Sequence, residues 1–558
     1  MIKTNFFKNN FLIIIFSIFI FFFQLHSLQN ITPHHDQTFH INWLINLKNS
    51  DHLLPPDFGM NFESLKYDSN GFIHELLKPA SNPKDYHAYL FQINSILVVY
   101  LFSIFFETNP ISLYIFVSIF FSSLSIILNY KILIILLKDY KFYENSFFRN
   151  IKYQLIFCFL NISFYKFFFS ALGHHNISYF FFSLTILITL NKSLNTSKNF
   201  PYILGTVLGL VSYFQITLVL LLLPFISIFF LYNNFEISFK NFNKFLKFFL
   251  TSLVFYFPFV VLIAKDIISS DGNYFVNLVG NDNLNNQFYY KKIFFWFEKF
   301  YKLGFPIIFF GFLLSLIISI KLKKYNYIQF LILIHFFINI LLSIFYISYL
   351  RNFYYIFNIF LILSSFSLIY LFNKNILLKV LTILLISFNF YYNSKVILNV
   401  KELEKIDPLF YQLYFDNKIQ LKNKLLKIKI LNKKNYVFFS DFSKNYFKVY
   451  QADFVKEKFL TNRPLLNTYN HLTTNNNYSK LQIKNFKIIN KDFHLISFTK
   501  NFNYIANIVS ELQNSNLVHK NCKFDLPHLV NEPIFRHASS GELNINLYLT
   551  KFNCESKF

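Results

Sequence analysis

The residues best suited to chemistry are few, and they sit beside or between long apolar runs. In Ile31-Thr-Pro-His-His-Asp-Gln-Thr-Phe-His40, Asp36 follows His34 and His35 and stands four residues before His40. Beyond Pro33 the sequence reads as an amphipathic helix to Asn49, with Phe39, Trp43 and Leu47 as its apolar stripe. Asp36 and His40 would share a face of that helix. A carboxylate there either caps free backbone N–H groups or takes a proton from a hydroxyl. His174 and His175, in Ser170-Ala-Leu-Gly-His-His-Asn-Ile-Ser178, are expected on a tight turn between two apolar runs. They read as polar filler or, with Asp36 and His34 or His35, as ligands for zinc or manganese. The spacing closes no ligand set, so a divalent metal is left open.

Two cations stand out against the apolar background. Lys166 falls one to two turns before Gly173, and Arg351 opens a late apolar run. Charges at membrane depth either mark a functional site or snorkel to the interface. The guanidinium of Arg351, expected at headgroup level, is a fork suited to a phosphate. Cys158 lies inside an apolar run, whereas Cys522 and Cys554 lie near the C-terminus, where an oxidising compartment would favour their pairing.

These groups need elements to hold them, and the composition says which kind. Of 558 residues 54% are hydrophobic and only 15% charged, with a mean hydropathy of +0.38. A soluble domain carries about 25% charged residues, and several runs here reach the roughly 20 apolar residues of a membrane span. The 82 Phe and 37 Tyr beside 10 Gly point to an AT-rich coding bias, so the net charge of +25 is no argument for nucleic acid. Walker loops, GxGxxG turns and zinc-type CxxC pairs are absent from the sequence.

Lys3 and Lys8 precede the first run, 11–23, which reads as a retained anchor pointing outward. Residues 27–110 then form a first outer loop with juxtamembrane helices. The basic cluster Lys138, Lys141, Arg149 and Lys152 is expected inside, so 89–106 should not cross while 111–137 does. Further spans are expected near 153–171, 177–191, 201–214, 216–232, 246–264, 303–320, 326–345, 353–372 and 376–393. The segment 201–232 admits two half-helices around Gly205, Gly209 and Pro224. That makes 11 crossings within 1–395, a cytoplasmic N-terminus and an outer C-terminus. Hydropathy falls beyond, and 396–558 reads as a soluble α/β domain, with helices at 408–432 and 501–517 and strands at 435–441, 493–499 and 543–550.

Five segments in this order resemble the GT-C polyprenyl-phosphate-dependent glycosyltransferases, in the style of the protein O-mannosyltransferase and lipid-A aminoarabinose transferase group. Asp36-Gln37 resembles the acidic pair after the family's first span. Asn82-Pro-Lys-Asp-Tyr-His-Ala-Tyr-Leu90 resembles its proline-aromatic segment, bringing in Tyr86 and His87. Leu172-Gly-His-His-Asn176 is similar to its outer turn, with His and Asn replacing an acid. Gly205-Thr-Val-Leu-Gly-Leu-Val-Ser-Tyr-Phe-Gln215 is similar to its Gly-Leu segment, with Gln where Lys is common. Tyr349-Leu-Arg-Asn-Phe-Tyr354 resembles its late Arg-Tyr motif.

The resemblance implies an inverting transfer of a hexose or pentose from a polyprenyl phosphate to a hydroxyl of a lipid, glycan or protein acceptor. It further implies the outer face of a bacterial inner membrane. Asp36 would be the base, Arg351 and Lys166 the phosphate cations, and His34, His35, His40, His174, His175, Tyr86 and His87 would orient substrate or a metal. A lipid-linked polysaccharide polymerase or ligase, a transporter and a non-catalytic scaffold are the alternatives. Asp36 argues against the first, and the lack of a second Gly/Pro-broken half argues against the transporter.

Overall fold

The computed structural model describes residues 2–28, 44, 93–106, 110–142, 147–169, 174–191, 194, 197–215, 217–231, 239–269, 307–324, 328–329, 331, 334 and 353–406. Beyond these it describes 436–438, 493–497, 506, 510, 522–526, 528–529, 534–538, 541–545 and 548–554. The chain divides into two units: 1–29, 83–105 and 113–402 form one, and 30–82, 106–112 and 403–558 the other.

The first unit is helical. Its elements are α1 (Ile2–Leu28), α2 (Ile93–Phe105), α3 (Pro110–Asp139), α4 (Phe147–Asn161), α5 (Phe164–Phe169), α6 (His174–Leu190) and α7 (Phe200–Ser212). They continue with α8 (Thr217–Leu231), α9 (Phe239–Ser269), α10 (Ile307–Lys321), α11 (Phe353–Phe372), α12 (Ile376–Leu398) and the start of α13 (Lys401–Ile406), whose last four residues belong to the second unit. Among the described residues four stretches are long and apolar enough to cross a membrane: Asn10–Leu28, Ser112–Asp139, Tyr354–Phe372 and Ile376–Leu398. A hydrocarbon environment suits this chain.

Packing contacts fix the relative directions of the helices. Ser17 reaches Ser123 and Phe21 meets Phe116 and Phe120, so α1 and α3 are antiparallel. Ile13 meets Gln154 and Phe23 meets Phe167, so α4 and α5 run parallel to α1. Phe159 packs on Phe390, and Phe164 bonds Asn393, so α12 shares that direction. Tyr153 bonds Asn373 while Tyr165 packs on Phe357, so α11 opposes them. The most enclosed span is α11, with 89% of its apolar window buried, against 22% for α12 and 28% for the window of α1.

Small and polar residues mark the inward faces. On α11 the hydroxyls of Ser364 and Ser367 donate to the carbonyls of Ile308 and Gly311 on α10. Helices attract each other in lipid through close packing and such bonds, because apolar area alone gives no preference for protein over lipid. Gly205 and Gly209 let α7 lie against α9: a Cβ on Gly205 would stand 2.7 Å from the Phe248 carbonyl oxygen. The expected break in 201–232 is therefore two helices, α7 and α8, that double back so that Phe200 meets Phe229 and Phe230.

One span expectation needs correction. The run 153–171, read as one helix, ends at Asn161 and restarts at Phe164. For α2, Asn94 N–H donates to the Tyr213 carbonyl and its side-chain amide to the Leu210 carbonyl, while Phe102 packs on Phe120 and Phe121 in the first half of α3.

In the second unit the described elements are strands: β1 (Tyr436–Phe438), β2 (Phe493–Ser497), β3 (Cys522–Phe524), β4 (His528–Leu529), β5 (Ile534–Ala538), β6 (Gly541–Ile545) and β7 (Tyr548–Cys554). One sheet has the order β1-β2-β7-β3, with β4 also on β7; β1 and β2 are parallel and the other pairs antiparallel. β5 and β6 form a separate antiparallel pair. The single strand expected over 543–550 is thus divided between two sheets, because an alternating pattern does not say where one pairing stops. The helices expected at 408–432 and 501–517 fall outside the described residues except Ala506 and Ser510, both helical.

Cys522 and Cys554 are Cα partners in the β3–β7 register. Directly opposed positions of an antiparallel ladder have Cα atoms about 4.5–5.5 Å apart, inside the roughly 4.4–6.8 Å span of a disulfide. In an oxidising compartment these two thiols are expected to join. Alkylation of denatured, unreduced protein should then label Cys158 alone, and three labelled cysteines would reject the pairing.

Candidate functional site

The interruption between α4 and α5 builds the most reactive-looking place in the described structure. A helix that stops at Asn161 and restarts at Phe164 leaves backbone donors unserved. The Asn393 side chain of α12 accepts the Phe164 N–H at 2.9 Å, and the Ser163 hydroxyl faces the Lys166 N–H at 3.5 Å. The restart also sets the direction of Lys166. Its side chain is 3% exposed, so it does not snorkel, and its ammonium donates to Asn161 Oδ1 at 3.0 Å. Asn161 gives its own amide N–H to the Phe157 carbonyl at 2.9 Å, which holds the oxygen toward the lysine. Among the described residues no carboxylate pairs with Lys166.

Lys166 opens on a cavity of about 190 Å³ between α1, α3, the α4–α5 break and α12. Asn161, Ser163, Ser394 and Gln24 supply the other polar groups, and Phe19, Phe23, Phe390 and Leu398 are among the apolar walls. Gln24 is 2% exposed, and among the described residues its Oε1 has no hydrogen-bond partner.

A second polar cluster lies where α6 begins. His174 is the first residue of α6, so the histidine pair stands at a helix start and not on a turn. His175 Nδ1 is 3.1 Å from Gln215 Oε1 and 3.1 Å from Tyr355 Oη, and the Tyr355 hydroxyl donates to Gln215. All three side chains are buried. Next to this cluster, Asn176 donates to Ser118, and Tyr179 donates to Asn129. His175, Gln215 and Tyr355 carry no permanent charge, so these three side chains can orient groups but not neutralise an ion.

Of the residues selected from sequence, Lys166 and His175 are thus placed, in different clusters. Asp36, His34, His35, His40, Tyr86, His87 and Arg351 lie outside the described residues, and for His174 only the backbone is described. Among the described residues no three His, Cys, Asp or Glu side chains gather as metal ligands. Gln24, Asn161, Asn393 and Tyr355 were missed in the sequence reading. Their signal was a lone polar side chain in an apolar helix, which at membrane depth faces protein. No protein-family model matches this chain, and no curated protein matches it.

The Asn393 bond is testable by comparison with an exposed cap. Asn375 likewise accepts an N–H, from Leu378 at the start of α12, but in an exposed setting. Asn393→Leu orphans a buried donor and should cost about 1–3 kcal/mol, whereas Asn375→Ala should cost about 1 kcal/mol or less. Thermal unfolding in detergent checks the order, and equal losses would show that the restart at Phe164 does not depend on Asn393.

Proposed function

We propose that this chain is a GT-C-type glycosyltransferase that moves a sugar from a polyprenyl phosphate to an acceptor hydroxyl at the outer face of a bacterial inner membrane. What supports the reading most directly is the meeting of His175, Gln215 and Tyr355. Two of these lie within segments that resemble the family, and Tyr355 directly follows a third. Tyr165, next to Lys166, also packs on Tyr354 of that late segment, at 6.4 Å between ring centroids.

In the proposed reaction Asp36 takes the acceptor hydroxyl's proton as its oxygen bonds the anomeric carbon. The bond from that carbon to the phosphate oxygen breaks, the electron pair leaves with the phosphate, and the anomeric centre inverts. Arg351 and Lys166 carry the phosphate charge, and the histidines with Tyr86 and His87 orient the acceptor. The leaving group needs no strong acid, so a positioned base and preorganised cations suffice. The reading includes 11 crossings and an outer α/β domain over 396–558 that takes part in acceptor choice.

Sugar transfer from lipid-phosphate donors, with membrane abundance measured alongside, tests the role of Asp36. Asp36→Asn should lower the rate about 10²–10⁴-fold if the carboxylate is the base. Near-normal transfer at normal abundance would make it a helix cap and favour a scaffold. Arg351→Lys should retain more activity than Arg351→Ala if charge alone is required, and little more if the fork is.

Topology has its own test. Reporters fused after Glu107 and after Lys141 should read outside and inside respectively. Matching signals at the two points would overturn the non-crossing assignment of 89–106.

A further inference from the structure

Two helices of the first unit finish in the same way. At the end of α3 the Phe142 N–H donates to the Leu137 carbonyl and the Lys141 N–H to the Lys138 carbonyl, with Lys141 at φ 60°. At the end of α10 the Lys324 N–H donates to the Ser319 carbonyl and the Lys323 N–H to the Ile320 carbonyl, with Lys323 at φ 51°. Among the described residues these two lysines are the non-glycine residues with positive φ. Both turns are Schellman endings, whose left-handed residue is usually Gly and sometimes Asn. A lysine there strains its Cβ and gains the backbone nothing. AT-rich codons do not explain the choice, since Asn has equally AT-rich codons and is common in this chain. The helix dipole favours a basic last turn without requiring a left-handed lysine.

Aromatic contacts gather these lysines at one end of the bundle. The Tyr140 hydroxyl bonds Ser319 and the Lys324 carbonyl, which joins the end of α3 to that of α10. Phe142 meets Tyr370 at 4.9 Å between ring centroids, which joins α3 to the end of α11. Lys141 lies between those two rings in sequence, so the ends of α10 and α11 flank it. The Lys324 ammonium stands 5.9 Å over the Tyr140 ring, Lys374 4.9 Å over Tyr370 and Lys379 5.2 Å over Phe372. A ring face holds an ammonium in place without cancelling its charge. Lys141, Lys323 and Lys374 are exposed, and none has a carboxylate partner among the described residues. Apolar surface begins directly beside them. Ile320 on α10 is 60% exposed and Leu377 on α12 is 75% exposed. A water-soluble anion would use the charge and leave that surface bare, whereas a lipid uses both.

We infer that this end of the bundle holds the headgroups of anionic glycerophospholipids, with phosphate oxygens on Lys141, Lys323 and Lys374 and acyl chains along Ile320 and Leu377. A phosphate there offsets the mutual repulsion of lysines carried on three adjoining helix ends. Tyr153 of α4 donates to the Phe142 carbonyl, and α4 leads from this end toward Lys166 over 15 residues, about 22 Å. The lipid surface is therefore separate from the Lys166 cavity, and a chain that transferred no sugar would still possess it.

Native mass spectrometry of the full chain in neutral detergent tests this with dioctanoyl phosphatidylglycerol, dioctanoyl phosphatidylcholine and glycerol phosphate. Phosphatidylglycerol should bind at least tenfold more tightly than the other two. Lys141→Asn combined with Lys323→Asn should weaken that binding at least fivefold. It should not lower the unfolding temperature of the lipid-free protein, because Asn accepts the left-handed backbone. A purely structural role for the two lysines predicts unchanged lipid binding. If that double variant does not fold, Lys374→Gln with Lys379→Gln, which alters no left-handed position, carries the test with the same expected loss. Lys244→Gln with Lys247→Gln removes equal charge from α9 and should leave binding within twofold. Three results would overturn the inference: phosphatidylcholine or glycerol phosphate binding as well as phosphatidylglycerol, unchanged binding in the folded lysine variants, or an equal loss in the α9 variant.

Discussion

Hydrocarbon offers no hydrogen bonds, so a polar group carried into this bundle needs its partner within the protein. That constraint explains why the breaks in the helices coincide with long-range polar contacts. α1 departs from helical geometry at Asn10, and Gln154 of α4 accepts the nearby Ile13 N–H. The restart at Phe164 depends in the same way on Asn393, 229 residues later in the chain. In water, solvent would serve such donors and the distant amides would be dispensable. In lipid each amide ties two helices together, so the break and its remedy also fix the positions of α1, α4 and α12 around one cavity.

Hydropathy reveals the helices here because apolar length is what a bilayer selects. It does not reveal which face looks inward when Phe, Ile and Leu cover every side. That information sits in the sparse polar residues. Ser118, Ser122, Ser125 and Asn129 recur at three- and four-residue spacing, and all are buried on α3. The break after Asn161 was not legible, because neither Gly nor Pro marks Ile162-Ser163 and the partner that permits it lies far away in sequence. The candidate site was legible in the same uneven way. Lys166 announced itself by charge, and Asn161 stands within the same turn-and-restart. Gln24 was not singled out, since nothing local says that α1 places it on the same cavity.

The shortage of glycine shapes the packing. With 10 Gly against 82 Phe, most helix contacts cannot be backbone-close. Within the described helices glycine is used for that purpose, at Gly205 and Gly209 against α9 and at Gly311 against Ser364. Elsewhere aromatic rings fill the space edge to face, as Phe121 does with Phe180 and Phe312 with Phe360. A bundle filled by rings leaves few gaps of its own, so a cavity bordered by Phe19, Phe23, Phe167 and Phe390 stands out as one that the same residues do not close.

The two polar clusters divide their roles by how far each satisfies itself. His175, Gln215 and Tyr355 exchange hydrogen bonds among themselves, and in doing so they join the start of α6, the end of α7 and the first turn of α11. A neutral, mutually bonded set of this kind stiffens its surroundings and exerts little pull on an ion. Lys166 is different: among the described residues the acceptor of its ammonium is Asn161 Oδ1. The clusters are mechanically linked through α11, where Tyr354, adjacent to Tyr355, packs against Tyr165, adjacent to Lys166. The neutral cluster therefore positions the helix against which the cation's own helix is braced.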